Sequence, residues 1–251
     1  MIPDQLFDIY SEEYESKFNK NPITIYQREY VHEVLKPILA QANTLLDIGC
    51  GPGSDFKFYA QFDIKITAFD ISPKMVQLAK DKADSIHLDL EVFKSSLESF
   101  ESKIKYDVIV LNFGVINVFK NIDKILNKLE SILNANGKLI IVSMPPFHLF
   151  SIIGNMFKLQ FKKIFKRLIL NKSVLDNGFT FYYYSIKNFN DKFKIENKYN
   201  FCSILPTPDQ YSQFRFLKHY FKLLWKVDKS FSNYLPAFLG GDHILFVLRK
   251  K

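Results

Sequence analysis

The stretch that most constrains this chain is Leu45-Leu46-Asp47-Ile48-Gly49-Cys50-Gly51-Pro52-Gly53, an apolar run ending in an acid and three closely spaced glycines. Thr44–Ile48 has the length and unbroken apolarity of a strand buried on both faces. Glycines directly after such a strand remove Cβ atoms, so the chain can turn sharply and press bare backbone against a ligand. Taken alone, the loop is equally a dinucleotide cradle or a tight turn.

Around this loop, apolar strands and amphipathic helices alternate. Ile64–Phe69 is a second run, ending at Asp70. Ser72 then caps a helix that has Pro73 in its first position. A weaker strand lies at Leu90–Phe93, a strong one at Tyr106–Leu111, and a helix at Ile122–Leu133. Asn136-Gly137 is expected to stop that helix and launch Lys138–Ser143. Alternation of this kind predicts a parallel sheet covered on both faces. The first forty residues read as helices, with Pro22 opening one that runs to about Leu39. Beyond residue 147 the pattern predicts a hydrophobic and basic helical region to 172, an extended aromatic stretch at Phe179–Tyr184 and a helix at Ile186–Phe193. A strand at Phe193–Cys202, a mostly helical insertion and a last strand at His243–Leu248 follow. The 251 residues suit one domain. It divides into a cap (1–40), a core (41–146) and two insertions (147–185 and 204–240).

The formal charge of +8 admits nucleic acid, anionic lipid or an anionic small molecule as partner. Two cysteines make no disulfide framework and point to a reducing, cytoplasmic setting. The start of the chain has no basic and apolar leader pattern. Leu139–Phe157 carries no formal charge, but Pro145-Pro146 divides it into a strand and a new element, not a spanning helix.

Three details narrow the loop's ligand. Gly-x-Gly-x-Gly fits a pyrophosphate poorly. Asp47 would repel a diphosphate and suits a cationic amino-acid group. Asp70, 21 residues after Gly49, has the placement that grips both ribose hydroxyls. A ligand with a ribose, an ammonium and no phosphate is S-adenosylmethionine. Leu45–Gly53, Ala68–Val76, Lys105–Val110 and Leu133–Ile141 together resemble, in order, the motifs of class I S-adenosylmethionine-dependent methyltransferases. The resemblance implies a Rossmann-like α/β fold. Its seven-stranded, mostly parallel sheet would have order 3-2-1-4-5-7-6, the last strand antiparallel, with helices on both faces and a helical cap. It also implies cofactor contacts from Asp47, Gly49, Cys50, Gly51, Gly53 and Asp70, with Ile71 and Met75 flanking the adenine. Where the family often carries an acid after strand three, this chain reads Phe93-Lys94-Ser95-Ser96-Leu97, so Ser96 and the Leu97 backbone are the candidates. Arg28 would partner the cofactor carboxylate. No metal is called for.

After strand four, Asn112-Phe113-Gly114-Val115-Ile116-Asn117 lacks the Asn/Asp-Pro-Pro-Tyr/Phe motif of enzymes that methylate adenine or glutamine. Met144-Pro145-Pro146-Phe147 looks like that motif but follows strand five. The Asn112–Asn117 stretch resembles small-molecule enzymes of the ubiquinone/menaquinone methylase type, in which Asn112, Phe113 and Gly114 would lie by the cofactor and Asn117 by the acceptor. This counts against DNA and RNA and favours an apolar, aromatic or lipid-like acceptor. An RNA or protein methyltransferase, or a silent cofactor-binding protein, remains the alternative. Residues 157–172 form a cationic amphipathic helix that can lie on an anionic bilayer, cover an apolar pocket, or pack on the sheet with a solvated basic back.

Gly240-Gly241-Asp242-His243 precedes the last strand, whose antiparallel course puts its start on the ligand side. His243 is therefore a candidate base, beside the alternative of a hydrogen-bonded structural histidine. Tyr183 is a second catalytic candidate. Tyr10, Tyr14 and His148 are candidates for acceptor contact.

Overall fold

The computed structural model describes residues 7–9, 11, 14, 20–148, 152, 156, 159, 161–175, 178–211, 219–234 and 241–251. Helix α1 (Pro22–Leu39) begins where Asn21 Oδ1 accepts from Ile23 N at 3.0 Å, with Pro22 at its first position, where a missing N–H costs nothing. β1 (Thr44–Ile48), β2 (Lys65–Asp70), β3 (Glu91–Lys94), β4 (Tyr106–Leu111) and β5 (Leu133–Ser143) are joined in parallel. Helices α2 (Phe56–Tyr59), α3 (Pro73–Ser85) and α4 (Ile122–Ile132) lie in the connections. Ser72 caps α3 as expected, accepting from Met75 N at 3.1 Å.

β9 (His243–Lys250) runs antiparallel between β5 and β8 (Phe193–Phe201), so the sheet order is β3-β2-β1-β4-β5-β9-β8. This is the expected order, with β9 and β8 as seventh and sixth strands. The extra numbers belong to a separate hairpin of β6 (Lys172–Val174) and β7 (Thr180–Tyr182). Side chains alternate across the sheet. Leu45 enters the core that holds α1, and Leu46 the opposite core that holds α4. Strand order reverses between β1 and β4, which opens a crevice at their carboxyl ends.

Three elements differ from the sequence-based expectation. α4 stops at Ile132, and Asn136-Gly137 lies inside β5 beside a register irregularity between Tyr106 and Val108. Gly137 is required there for closeness: a Cβ would stand 2.8 Å from Leu133 Cδ1 and 3.0 Å from the Asp107 carbonyl. α6 spans only Lys187–Asn190, because Phe193 is already in β8. α5 (Phe161–Ile169) does not pack its apolar side on the sheet: Phe161, Phe165 and Ile169 are 58%, 57% and 62% exposed. α7 (Phe221–Phe231) packs on α1 through Trp225, whose ring stacks on Tyr26 and stands edge-on to Tyr30. Among the described residues no helix is long and apolar enough to cross a membrane.

Candidate functional site

The glycine loop is fastened to the end of β2: Gly49 N and Cys50 N both donate to the Phe69 carbonyl, at 2.8 and 3.1 Å. Gly49, Gly51 and Gly53 all have positive φ, and a Cβ on Gly49 or Gly53 would collide with Val115 or Phe56, respectively, at under 3 Å. At Gly51 a Cβ would meet only the Tyr14 ring, at 3.9 Å. The loop therefore turns on all three glycines and offers its backbone to the crevice at Gly51, the one with room beside it.

That crevice is a cleft of about 240 Å³. Of the expected cofactor residues it gathers Arg28, Asp47, Gly49, Cys50, Gly51, Asp70, Ile71, Met75, Ser96, Leu97, Asn112 and Phe113, with Tyr14 also in its wall. Asp70 is oriented by two backbone donors, Gly51 N on Oδ2 and Ser72 N on Oδ1, each at 2.9 Å. Burial raises its pKa, against the pull of those N–H groups. Burial, with Asp55 nearby, raises Asp47 further. Asp70 and Asp47, two buried carboxylates of the cleft wall, fit a ligand that brings hydroxyls to one and a cation to the other. S-adenosylmethionine has both. A short N-terminal helical stretch closes one side, where Ser72 Oγ donates to Asp8 Oδ1 and Phe7 packs edge-on against Phe179.

Asp55 was not anticipated from the sequence. It is buried in the cleft wall, with Arg28 Nη1 at 2.5 Å and His32 Nε2 at 2.7 Å on Oδ1, while Asn112 Nδ2 donates to Oδ2 at 3.0 Å. Burial would raise its pKa, but Arg28 and His32 outweigh that and hold the carboxyl well below the usual range. Arg28 thus borders the cleft with its charge already engaged. Only its position two residues after Gly53 could have flagged Asp55.

A second polar group lies behind Phe113. Asp242 Oδ2 accepts from Gln27 Nε2 at 3.0 Å and stands 3.2 Å from His243 Nδ1, and Oδ1 is 4.0 Å from His148 Nδ1. Burial works to raise Asp242, but His243, His148 and Arg167 overcome it and hold the carboxyl low. His148 is fully buried, and desolvation lowers its pKa to about 4 despite Asp242. The Phe113 ring stands edge-on to His243 with centroids 5.7 Å apart, and the Arg28 guanidinium lies 5.0 Å from its centroid. Phe113 also holds a φ of 44°, which costs about 1–2 kcal/mol for a residue with a Cβ. It separates the cleft from the Asp242 group.

Several expected residues are elsewhere. Asn117 is fully buried and bonded on both sides: Nδ2 donates to the Met144 and Tyr182 carbonyls, and Oδ1 accepts from Met144 N. It ties the segment after β4 to the one after β5 and to the end of β7 and leaves no amide group for an acceptor. Gly53 and Gly114 shape turns without lining the cleft; Gly114 N donates to the Val142 carbonyl at 2.9 Å. Tyr183 is buried beneath Arg167, whose guanidinium lies 4.7 Å from the ring centroid, and does not line the cleft. Tyr10 falls outside the described residues. Among the described residues no cluster of ligating side chains could hold a metal.

Residues 39–193 match the family described as "Methyltransferase domain". A ubiquinone biosynthesis O-methyltransferase of Pelagibacter ubique is 27% identical over 157 residues, which cover 58% of this chain and 64% of that one. The chain spans about three fifths of the length of the curated relatives it matches first. Among solved structures, an S-adenosylmethionine-dependent methyltransferase of Clostridium acetobutylicum superposes with TM-score 0.62 at 11% identity, covering 98% of this chain and 99% of that one. Magnesium protoporphyrin IX methyltransferase of Synechocystis, solved with S-adenosylhomocysteine bound, gives TM-score 0.59 at 15% identity, covering 99% and 98%. Identities this low show a shared fold. With the family match over more than half its length, the sheet order and the glycine-loop cleft, the chain belongs to the methyltransferase-domain family.

Proposed function

We propose that the chain transfers a methyl group from S-adenosylmethionine to a small apolar, aromatic or lipid-like acceptor bound on the Phe113–His243 side of the cleft. The observation that carries the cofactor half is the pair of buried carboxylates. Asp70, aimed by Gly51 N and Ser72 N, would take the ribose hydroxyls, and Asp47 the amino-acid ammonium. Ile71, Met75 and Leu97 would enclose the adenine, with Ser96 at its rim. The cofactor supplies a methyl group on a sulfonium, open to in-line attack. The protein's own contribution is then to position the acceptor and exclude water.

For a hydroxyl acceptor, His243 is the candidate base, and because its ring lies behind Phe113 the acceptor would have to reach past the Phe113 ring to meet it. Asp242 next to Nδ1 favours the tautomer protonated on that nitrogen, which leaves Nε2 to take the proton. The acceptor class is supported by the apolar walls of Phe113, Val118 and Phe119, and by relatives whose names include ubiquinone biosynthesis and malonyl-acyl-carrier-protein O-methyltransferases.

The test has two arms. Calorimetry with S-adenosylhomocysteine should give a dissociation constant of order micromolar. Asp70→Ala should weaken it at least about tenfold while the protein stays folded, its melting point lowered only by the loss of an acceptor for Gly51 N and Ser72 N. A folded protein that gives no heat overturns the cofactor reading. Methyl-labelled cofactor added to a cell extract should place label in the organic-soluble fraction; label in RNA or protein overturns the acceptor class.

A further inference from the structure

We infer that α5 docks the protein on an anionic lipid bilayer. In most soluble proteins an amphipathic helix turns its apolar side inward. α5 does the reverse. Phe161, Phe165 and Ile169 recur every four residues, share one face, and are each more than half exposed; Leu159, just before the helix, is 76% exposed. Arg167 is turned the other way: Nε donates to the Pro146 carbonyl at 2.9 Å and Nη2 to the Pro145 carbonyl at 3.0 Å. Its guanidinium also covers the Tyr183 ring. These contacts fix the rotation of the helix and leave its aromatic face outward. A contiguous apolar face on a soluble chain marks a surface that something covers.

Charge decides what covers it. Residues 158–172 contain five lysines and one arginine, and no Asp or Glu occurs between Pro145 and Leu175. A second copy of the chain would bring the same positive charge to the contact, whereas an anionic bilayer complements it and accepts the aromatic side chains at the headgroup boundary. Position agrees with this. Arg167 anchors α5 to the segment directly after β5, at the carboxyl end of the sheet, where the glycine loop also lies. The acceptor side of the cleft would thus open toward the membrane. The surface itself does not depend on which acceptor the cleft takes.

Sedimentation of the full chain with vesicles tests the surface without substrate. Vesicles of phosphatidylcholine with about one third phosphatidylglycerol should bind at least about tenfold more tightly than phosphatidylcholine alone, and high salt should release the protein. Phe161→Ser with Phe165→Ser, and separately Lys162→Glu, should weaken binding while leaving S-adenosylhomocysteine affinity unchanged. In a Phe165→Trp variant, lipids brominated on the acyl chain should quench the new indole, because the native Trp225 is buried. Absence of binding, equal binding to both vesicles, or self-association abolished by Phe165→Ser without vesicle binding would each overturn the inference. Loss of cofactor binding by the wild type would strike the functional reading and leave this one standing.

Discussion

Arg28 Nη1 lies 2.5 Å from Asp55 Oδ1 in the wall of the cleft, and both side chains are shielded from solvent, at 14% and 9% exposure. The two residues are 27 positions apart, one on α1 and one just after the glycine loop, so the pair ties the helical cap to the sheet's ligand end. His32 and Asn112 complete the group around the same carboxylate.

Removing one member of such a pair strands a buried charge. Asp55→Ala should cost about 3 kcal/mol in urea unfolding and weaken S-adenosylhomocysteine binding. The double variant Arg28→Met with Asp55→Leu should recover more than half of the stability and none of the binding. Equal stability loss in the single and double variants would show that the charges do not depend on each other.

Gly241 precedes Asp242 at the start of β9, and a Cβ there would stand 1.9 Å from the Phe201 carbonyl oxygen, with backbone on both sides of the overlap. Gly241→Ala should therefore destabilise the chain by more than about 4 kcal/mol or prevent folding. Gly178 is the control. Its φ is +84°, and nothing lies within 4 Å of the position a Cβ would take, so Gly178→Ala should cost only about 1–2 kcal/mol. Thermal melts of the two variants separate lack of space from backbone conformation.

His148 titrates at about 4 in the folded chain against 6.5 when free. A histidine held below its unfolded value binds fewer protons in the native state, so its contribution is complete above pH 6.5 and fades as pH falls toward 4. Across that window the loss amounts to about 3 kcal/mol. Asp242 and Asp55, both held low, lose theirs only below the usual carboxylate range. Asp47 acts in the opposite sense, because its raised carboxyl favours the native state as acid is added. Comparing wild type with His148→Gln isolates the histidine: the stability gap between them should shrink as pH drops from about 7 to about 4.5. A gap constant with pH would mean that His148 is protonated, or solvated, in the native state.

Local chemistry alone gave much of the architecture. Ser72 before Pro73, and Pro22 by itself, mark two helix starts, since a cap needs only its own next two or three residues and a first-turn proline needs no partner at all. The glycine spacing with Asp47 and Asp70 located the cleft, because strand ends at a β1 crevice place such residues together in any fold of this topology. Asn136-Gly137 reads as a helix stop yet lies inside β5, because Gly137 serves a close approach to Asp107 from another strand, and a glycine's neighbours in space leave no mark beside it in sequence. Asn117 showed the same limit: an asparagine near a candidate site reads as a contact residue until its partners at Met144 and Tyr182 are seen.

By itself, then, the sequence determined the α/β alternation, the turning of the loop after β1 and the two acids that flank it, all matters of local backbone preference and periodicity. Only the tertiary structure decided that Asp55 holds Arg28, that Asp242 and its neighbour His243 gather His148 and Gln27 from distant segments, and that α5 shows its aromatic face outward. Amphipathic spacing says that a helix has an apolar side. Which way that side points is set by long-range contacts such as Arg167 on the Pro145 and Pro146 carbonyls, whose energy depends on distances no linear pattern contains.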